Sequence, residues 1–208
     1  MAAKRFSYIA GEGLPWLALT AVLGLGAYFS LNWIAALPFA VIAVALFGLF
    51  RDPERELPVE PAAILAPCDG VIGGIELTSE GVLEREARHI TLRVNPFGAY
   101  TARCPVEGKL YDPRDNAAAG SKLSGANGLW VRTDADDDVV TLFRGLPLMG
   151  TPRAFVRYGE RVGQGRRCAY LRLASEAHVF LPADVIVDVE VGQRVRAGET
   201  IVARFRYQ

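Results

Sequence analysis

Few side chains in this 208-residue chain stand where they could do covalent or acid–base chemistry. Ser175 is the first of them: Leu173, Ala174 and Ser175 lie between two strand-like runs, Tyr170 to Leu173 and Ala177 to Leu181. A serine hydroxyl is a poor nucleophile near neutral pH until a positioned base takes its proton, an assistance worth roughly a hundredfold to ten-thousandfold. The chain offers two histidines for that task, His89 and His178. In a regular strand His178, three residues past Ser175, faces the opposite way, and His89 stands at the head of a different strand. The other reactive types read as structure. Cys68, Cys104 and Cys168 are too few and too irregularly spaced for a disulfide framework or a zinc site, and are expected as small buried thiols. The acidic run Asp134 to Asp138 lacks calcium-loop spacing and falls where a hairpin needs a solvated turn.

The elements that must position these groups fall into two parts. From Leu14 to Phe50 there is no charged residue, and Asn32 and Trp33 divide the stretch into two apolar halves. Each half is at the lower limit for spanning hydrocarbon. A helical hairpin is expected over residues 1–50, either transmembrane or dipping into one leaflet as a monotopic anchor; Pro15 and Pro38, near the starts of the halves, leave both forms open. Lys4 and Arg5 before the hairpin and Arg51 and Arg55 after it put the basic flanks on one side, expected to be the cytoplasmic one.

Residues 51–208 open with a charged, proline-punctuated connector and then read as short strands: GVIGGIEL, HITLRV, LWVRT, VVTLF, AYLRL, AHVFL and VIVDVEV are rich in branched and aromatic residues and too short for helices. The segment from Asp112 to Gly128, dense in small and polar residues, reads as a loop. Lysine plus arginine equal aspartate plus glutamate at 23 each, so the charge gives no footprint for nucleic acid.

An internal echo bears on the architecture. Gly159, Val162 and Gly165 recur 33 residues later as Gly192, Val195 and Gly198, and Pro67 to Gly70 is matched by Pro105 to Gly108. Paired turns of this kind imply a folded-over, quasi-twofold β structure, with glycines at positive φ and the valines between them in the core. The pattern resembles the barrel-sandwich hybrid domains that carry biotin or lipoate, without their carrier lysine. The expected fold is therefore mainly β, a barrel-sandwich-hybrid-like domain behind an N-terminal helical hairpin.

Motifs in sequence order add a family resemblance. FRDPERELP (Phe50 to Pro58), APCDG (Ala66 to Gly70), NPFGAYTARCPVEG (Asn95 to Gly108) and the run from Leu173 through VFLPADVIVDVEVGQRVRAGETIVA together resemble the phosphatidylserine decarboxylase family. The resemblance implies that Ser175 attacks the carbonyl of Ala174, cleaves the chain at the Ala174–Ser175 bond and becomes a pyruvoyl group that decarboxylates a phosphatidylserine-type lipid to phosphatidylethanolamine. It implies a phospholipid membrane as partner and Asp69 as a support for the serine chemistry; the spacing of the cysteines and of the acidic run gives no metal site. Two positions depart from the family pattern. Tyr100 occupies the place of the family histidine, and with a usual pKa of about 10 it can order Ser175 but is a poor base. Ala174 occupies the place of the usual glycine, where a strained turn is expected. The alternative is an unprocessed, non-catalytic relative that binds lipid or a protein partner. Nothing in the sequence sets the oligomeric state.

Overall fold

The computed structural model describes residues 8–60, 62–79, 85–112, 127–145 and 151–206. Lys4 and Arg5, and most of the loop expected between Asp112 and Gly128, lie outside the described residues. The chain forms two compact units, one made of the segment up to Glu54 with Phe97–Tyr100, the other of Arg55–Pro96 with Thr101–Gln208.

The first unit is a helical hairpin. Helix α1 (Leu14–Ser30) begins with Pro15 in its first turn, where a missing N–H costs nothing, and helix α2 (Trp33–Leu49) is capped by the Asn32 side chain, which accepts from the Ala35 amide at 2.9 Å. The helices pack closely: a Cβ at Gly24 would lie 3.1 Å from Phe39 Cβ. Below them the chain closes on itself, Ala10 donating to the Phe50 carbonyl and Asp52 to that of Tyr8. Leu19, Val22, Leu25 and Phe29 on α1 and Val41 and Val44 on α2 are exposed, so the pair is apolar all round rather than along one stripe. Each helix has 17 residues, about 25 Å of rise, short of the ~30 Å hydrocarbon core. Among the described residues no helix is long and apolar enough to cross a membrane.

Among its described residues the second unit is all β. Its largest sheet is antiparallel throughout and runs β13 (Arg194–Val195), β2 (Gly70–Thr78), β3 (Ala87–Val94), β11 (Ala174–Pro182), β7 (Asp138–Gly145), β6 (Asn127–Arg132), β5 (Gly108–Tyr111), β9 (Arg161–Val162). Two smaller sheets accompany it, β1 (Ala63–Leu65), β14 (Ile201–Arg204), β12 (Ile186–Val187) and β4 (Thr101–Arg103), β10 (Arg167–Tyr170), β8 (Arg153–Ala154). One core joins them, with Ile64, Leu92, Leu110, Val131, Ala174, Ala177, Val179 and Leu181 among its buried members.

The two ends of the large sheet repeat each other bond for bond. Gly192 donates to the Ile72 carbonyl at 2.8 Å and Gly159 to that of Leu110 at 2.7 Å; Gly198 donates to Ala66 at 2.9 Å and Gly165 to Cys104 at 2.8 Å. All four glycines have positive φ, between 68° and 89°, and Val162 and Val195 are buried, as the echoed motif requires. Gly70 and Gly108, at the ends of the two echoed Pro-x-x-Gly turns, are equivalent in a second way. A Cβ on either would sit 2.2 Å and 2.1 Å from the carbonyl oxygens of Arg93 and Arg132.

The acidic run does make the β6–β7 hairpin, with Asp136 at φ 64° and Thr133 and Asp137 bonded across the turn. Its last member is not solvated. Asp138 is buried and accepts from Trp130 Nε1 at 2.7 Å and from Arg132 and Arg85, because it already belongs to β7 and its carboxylate must be neutralised there. The three cysteines are free and buried, and burial pushes the Cys68 and Cys168 thiols up.

Gly70→Ala and Gly108→Ala are each expected to lower stability by about 2–3 kcal/mol, since a backbone carbonyl must move in both. Gly74→Ala, with nothing within 4 Å of its new Cβ, is the control, expected to cost less than ~1 kcal/mol. Chemical denaturation of the three variants checks the ranking.

Candidate active site

The backbone reaching Ser175 is unusual for its residue types. Ala174 N–H donates to the Leu171 carbonyl at 2.9 Å, closing a four-residue turn whose central residues, Arg172 and Leu173, have φ of 47° and 58°. Two successive left-handed residues fit a turn normally built from glycine, asparagine or aspartate. With side chains such as these, each costs roughly 1–2 kcal/mol. The glycine-like conformation expected at residue 174 is therefore found earlier: Ala174 itself is not among the residues with positive φ. Alanine before the serine fits because the turn places its strain on Arg172 and Leu173.

Immediately after the turn the strand slips. In β11, Ala174 pairs with Gly145 and Glu176 with Arg144, so Ser175 is the extra residue of a β-bulge. Ala174 and Ala177 both point into the core, which leaves Ser175 and Glu176 both turned outward, Ser175 exposed. The opposition expected between Ser175 and His178 holds only for a regular strand. With the bulge, Ser175, Glu176 and His178 share the outer face. The Ser175 hydroxyl donates to the Arg144 carbonyl at 3.2 Å.

That outer face carries both histidines, His89 reaching it from the neighbouring strand β3. Thr91 of β3 pairs with His178 and Glu76 of β2 with His89, which brings the side chains into a row. Glu76 Oε1 lies 2.8 Å from His89 Nδ1, His89 Nε2 lies 3.0 Å from His178 Nδ1, and His178 Nε2 lies 3.6 Å from Glu176 Oε2. His89 is stacked flat on Phe180, ring centroids 4.5 Å apart at 3°. Burial and the nearby His89 ring hold His178 below the usual imidazole range, against the opposing pull of Glu176. The row escaped the sequence reading, although Glu176-x-His178 alternation along a strand is a signal that both face one way.

Asp69 gathers three of the sequence motifs. Its Oδ2 lies 2.7 Å from an Arg55 nitrogen and its Oδ1 accepts the Ala197 amide at 2.7 Å, while Arg55 also reaches Glu199 at 3.4 Å. Arg55 and Asp69 side chains are only 10% and 11% exposed. The connector arginine is thus a nearly buried partner of the PCDG aspartate, a role its sequence context did not disclose. Ser175 bonds to Arg144 rather than to Asp69. Tyr100 belongs to the helical unit, where it is buried, packs on Phe50 with ring centroids 4.8 Å apart and donates to Glu12 at 3.0 Å.

Residues 45–203 match the profile described as phosphatidylserine decarboxylase. The chain belongs to the phosphatidylserine decarboxylase family. Relatives across the full length include the phosphatidylserine decarboxylase proenzymes of Nitrosomonas eutropha, 32% identical with 95% of each chain covered, and Nitrosomonas europaea, 34% identical over the same shares. That of Cupriavidus taiwanensis is 34% identical with 94% of each chain covered. The glucose permease IIA of Mycoplasma capricolum aligns over 68% of this chain and 93% of its own at 22% identity and a TM-score of 0.44, too distant to bear on the fold.

Leu173→Gly, made in a Ser175→Ala background, is expected to stabilise the chain by about 1 kcal/mol, because glycine adopts the left-handed conformation without the Cβ clash. Urea denaturation of the pair of proteins measures it; no gain, or a loss, contradicts the strain.

Proposed function

We propose that this chain is a self-processing, pyruvoyl-dependent phosphatidylserine decarboxylase. The observation that carries the reading is the left-handed Arg172–Leu173 turn running directly into a bulged, exposed Ser175. Strain before the bond and an outward hydroxyl beyond it suit an attack on the neighbouring carbonyl.

The step balances as follows. Ser175 Oγ gives up its proton and adds to the Ala174 carbonyl carbon; the Ser175 nitrogen leaves and takes a proton, so an ester replaces the amide. Removal of the Ser175 Cα proton then breaks the Cβ–Oγ bond and frees the Ala174 carboxylate. Water adds to the resulting imine form, ammonia departs, and a pyruvoyl group heads the fragment 175–208. Residues 1–174 form the partner fragment.

The bulge suits such a group, since residue 175 is already outside the ladder and facing solvent. When formed, the group supplies an electrophilic carbonyl that binds the substrate amine and accepts the electrons left by departing carbon dioxide. The chain's own part is to hold it. Strand β11, hydrogen-bonded to β3 on one side and β7 on the other, fixes the backbone behind residue 175, and Arg55 with Asp69 locks the segments carrying the other family motifs. Asp69 is read as a support of the site, not as its base.

The substrate is a phosphatidylserine-type lipid in a bilayer, reached through the helical hairpin. Two short helices, apolar on every side, support a monotopic seat in one leaflet with the β unit on the cytoplasmic side. The equivalent glycine turns support a barrel-sandwich-hybrid-like architecture for that unit, the domains running 1–50 and 51–208.

Purified protein added to vesicles containing phosphatidylserine is expected to release carbon dioxide and accumulate phosphatidylethanolamine, with Ser175→Ala inactive. Activity retained in Ser175→Ala, or wild-type protein that binds these vesicles without turnover, contradicts the proposal; the second result favours a lipid-binding relative.

A further inference from the structure

The family's base position is filled by Tyr100, yet self-cleavage needs a group to take the serine proton, and the outer face of the sheet holds one. We infer that His178 Nε2 is the proton acceptor for Ser175 in self-cleavage, with His89 and Glu76 as the residues that position it. The inference rests on the reading of Ser175 as the cleavage serine.

The hydrogen-bond direction along the row decides the tautomers. Glu76 is a carboxylate and only accepts, so His89 Nδ1, 2.8 Å away, carries a proton. In neutral His89 the other nitrogen, Nε2, is then an acceptor. His178 Nδ1, 3.0 Å from it, must donate. Glu176 Oε2, 3.6 Å from His178 Nε2, is beyond hydrogen-bond distance and does not fix a proton there, so Nε2 is left as an unprotonated lone pair at the end of the row nearest the bulge. A carboxylate–imidazole–imidazole series of this kind does for His178 what a buried carboxylate does for a catalytic histidine: it selects the tautomer and steadies the ring. The stacking of His89 on Phe180 holds the middle member in plane.

The charged groups facing His178 agree with the role. On its own strand Glu176 stands 3.6 Å from Nε2 and stabilises the imidazolium once the proton arrives. Arg144 on β7 opposes that charge; β3 presents Arg93 opposite Glu176 and the His89 ring, which is hydrogen-bonded to Glu76 of β2. Resting His178 is therefore neutral, the state a base needs. Its pKa, lowered chiefly by burial, keeps it so through neutral pH.

The transfer is indirect in the uncleaved chain. Residues 175 and 178 are about 10 Å apart along an extended strand, less the contraction of the bulge, and the Ser175 hydroxyl starts on the Arg144 carbonyl. Rotation about Cα–Cβ turns it toward the Glu176 side, and the proton reaches Nε2 by relay through solvent on the exposed outer face. The proton leaves Oγ as the new C–O bond forms at Ala174, and the same imidazolium is placed to return a proton to the departing Ser175 nitrogen.

The test follows cleavage of freshly synthesised full-length chain by intact mass. His178→Asn keeps a donor for His89 but has no basic nitrogen; it is expected to slow cleavage at least a hundredfold while melting like the uncleavable Ser175→Ala chain. Added imidazole should restore cleavage in that variant. In the wild type the rate should fall on acidification through a pH below the ordinary imidazole value, because protonation of His178 removes the base. Glu76→Gln should lower the plateau and move that acid limb to still lower pH, a shift that a merely structural role does not produce. Wild-type rates in His178→Asn, or a folded but imidazole-insensitive variant, overturn the inference and leave Ser175 cleavage standing. If His178→Asn fails to fold, an unmoved limb in Glu76→Gln overturns it. A wild-type chain that never cleaves removes the reading beneath it instead.

Discussion

Strand β11 cannot be regular along its whole length, and the rest of the site follows from that constraint. From Glu176 onward it is held in register on both sides, by β3 and by β7, with Ala177, Val179 and Leu181 fixed into the core. Ala174 must also reach the core, one residue out of phase with that alternation. The chain satisfies both demands by expelling Ser175 as a bulge and by entering the strand through two left-handed residues. Strain of a few kcal/mol is sustained because the surrounding ladder over-determines the path. The bond proposed to break is the one at the join between strained turn and rigid strand.

The same constraint is what the proposed chemistry would draw on. A bulge turns Ser175 to the outer face, and strand alternation puts Glu176, His178, His89 and Glu76 on that face as neighbours. The proposed base on the outer face of the sheet needs no added element, only polar residues at positions that already alternate outward. Self-cleavage, as proposed, would happen once per molecule, so even a slow, solvent-relayed base would suffice for it.

Much of the fold was legible because glycine and valine spacing carries direct physical information. Gly159 and Gly165, with Gly192 and Gly198, need positive φ, and Val162 and Val195 need burial; both showed as a repeat before any coordinates. The helical hairpin was legible from the uncharged run, and the turn at Asp136 from its composition. What stayed hidden depended on pairing. Nothing local tells that Ser175 is a bulge, since a bulge is defined by the partner strand, and a regular-strand argument then assigns His178 to the wrong face. The contact of His89 with His178 spans 89 residues and appears only with the β3–β11 register. Arg55 looked like a connector charge, while its burial against Asp69 comes from a fold that draws the two segments together.

The central claim is that the Ala174–Ser175 bond breaks by the chain's own chemistry. Intact mass of the purified, detergent-solubilised protein tests it most directly. The account predicts two fragments, 1–174 and 175–208, the smaller with a blocked, pyruvoyl N-terminus that hydride reduction shifts in mass. A single unbroken chain of 22.6 kDa contradicts it.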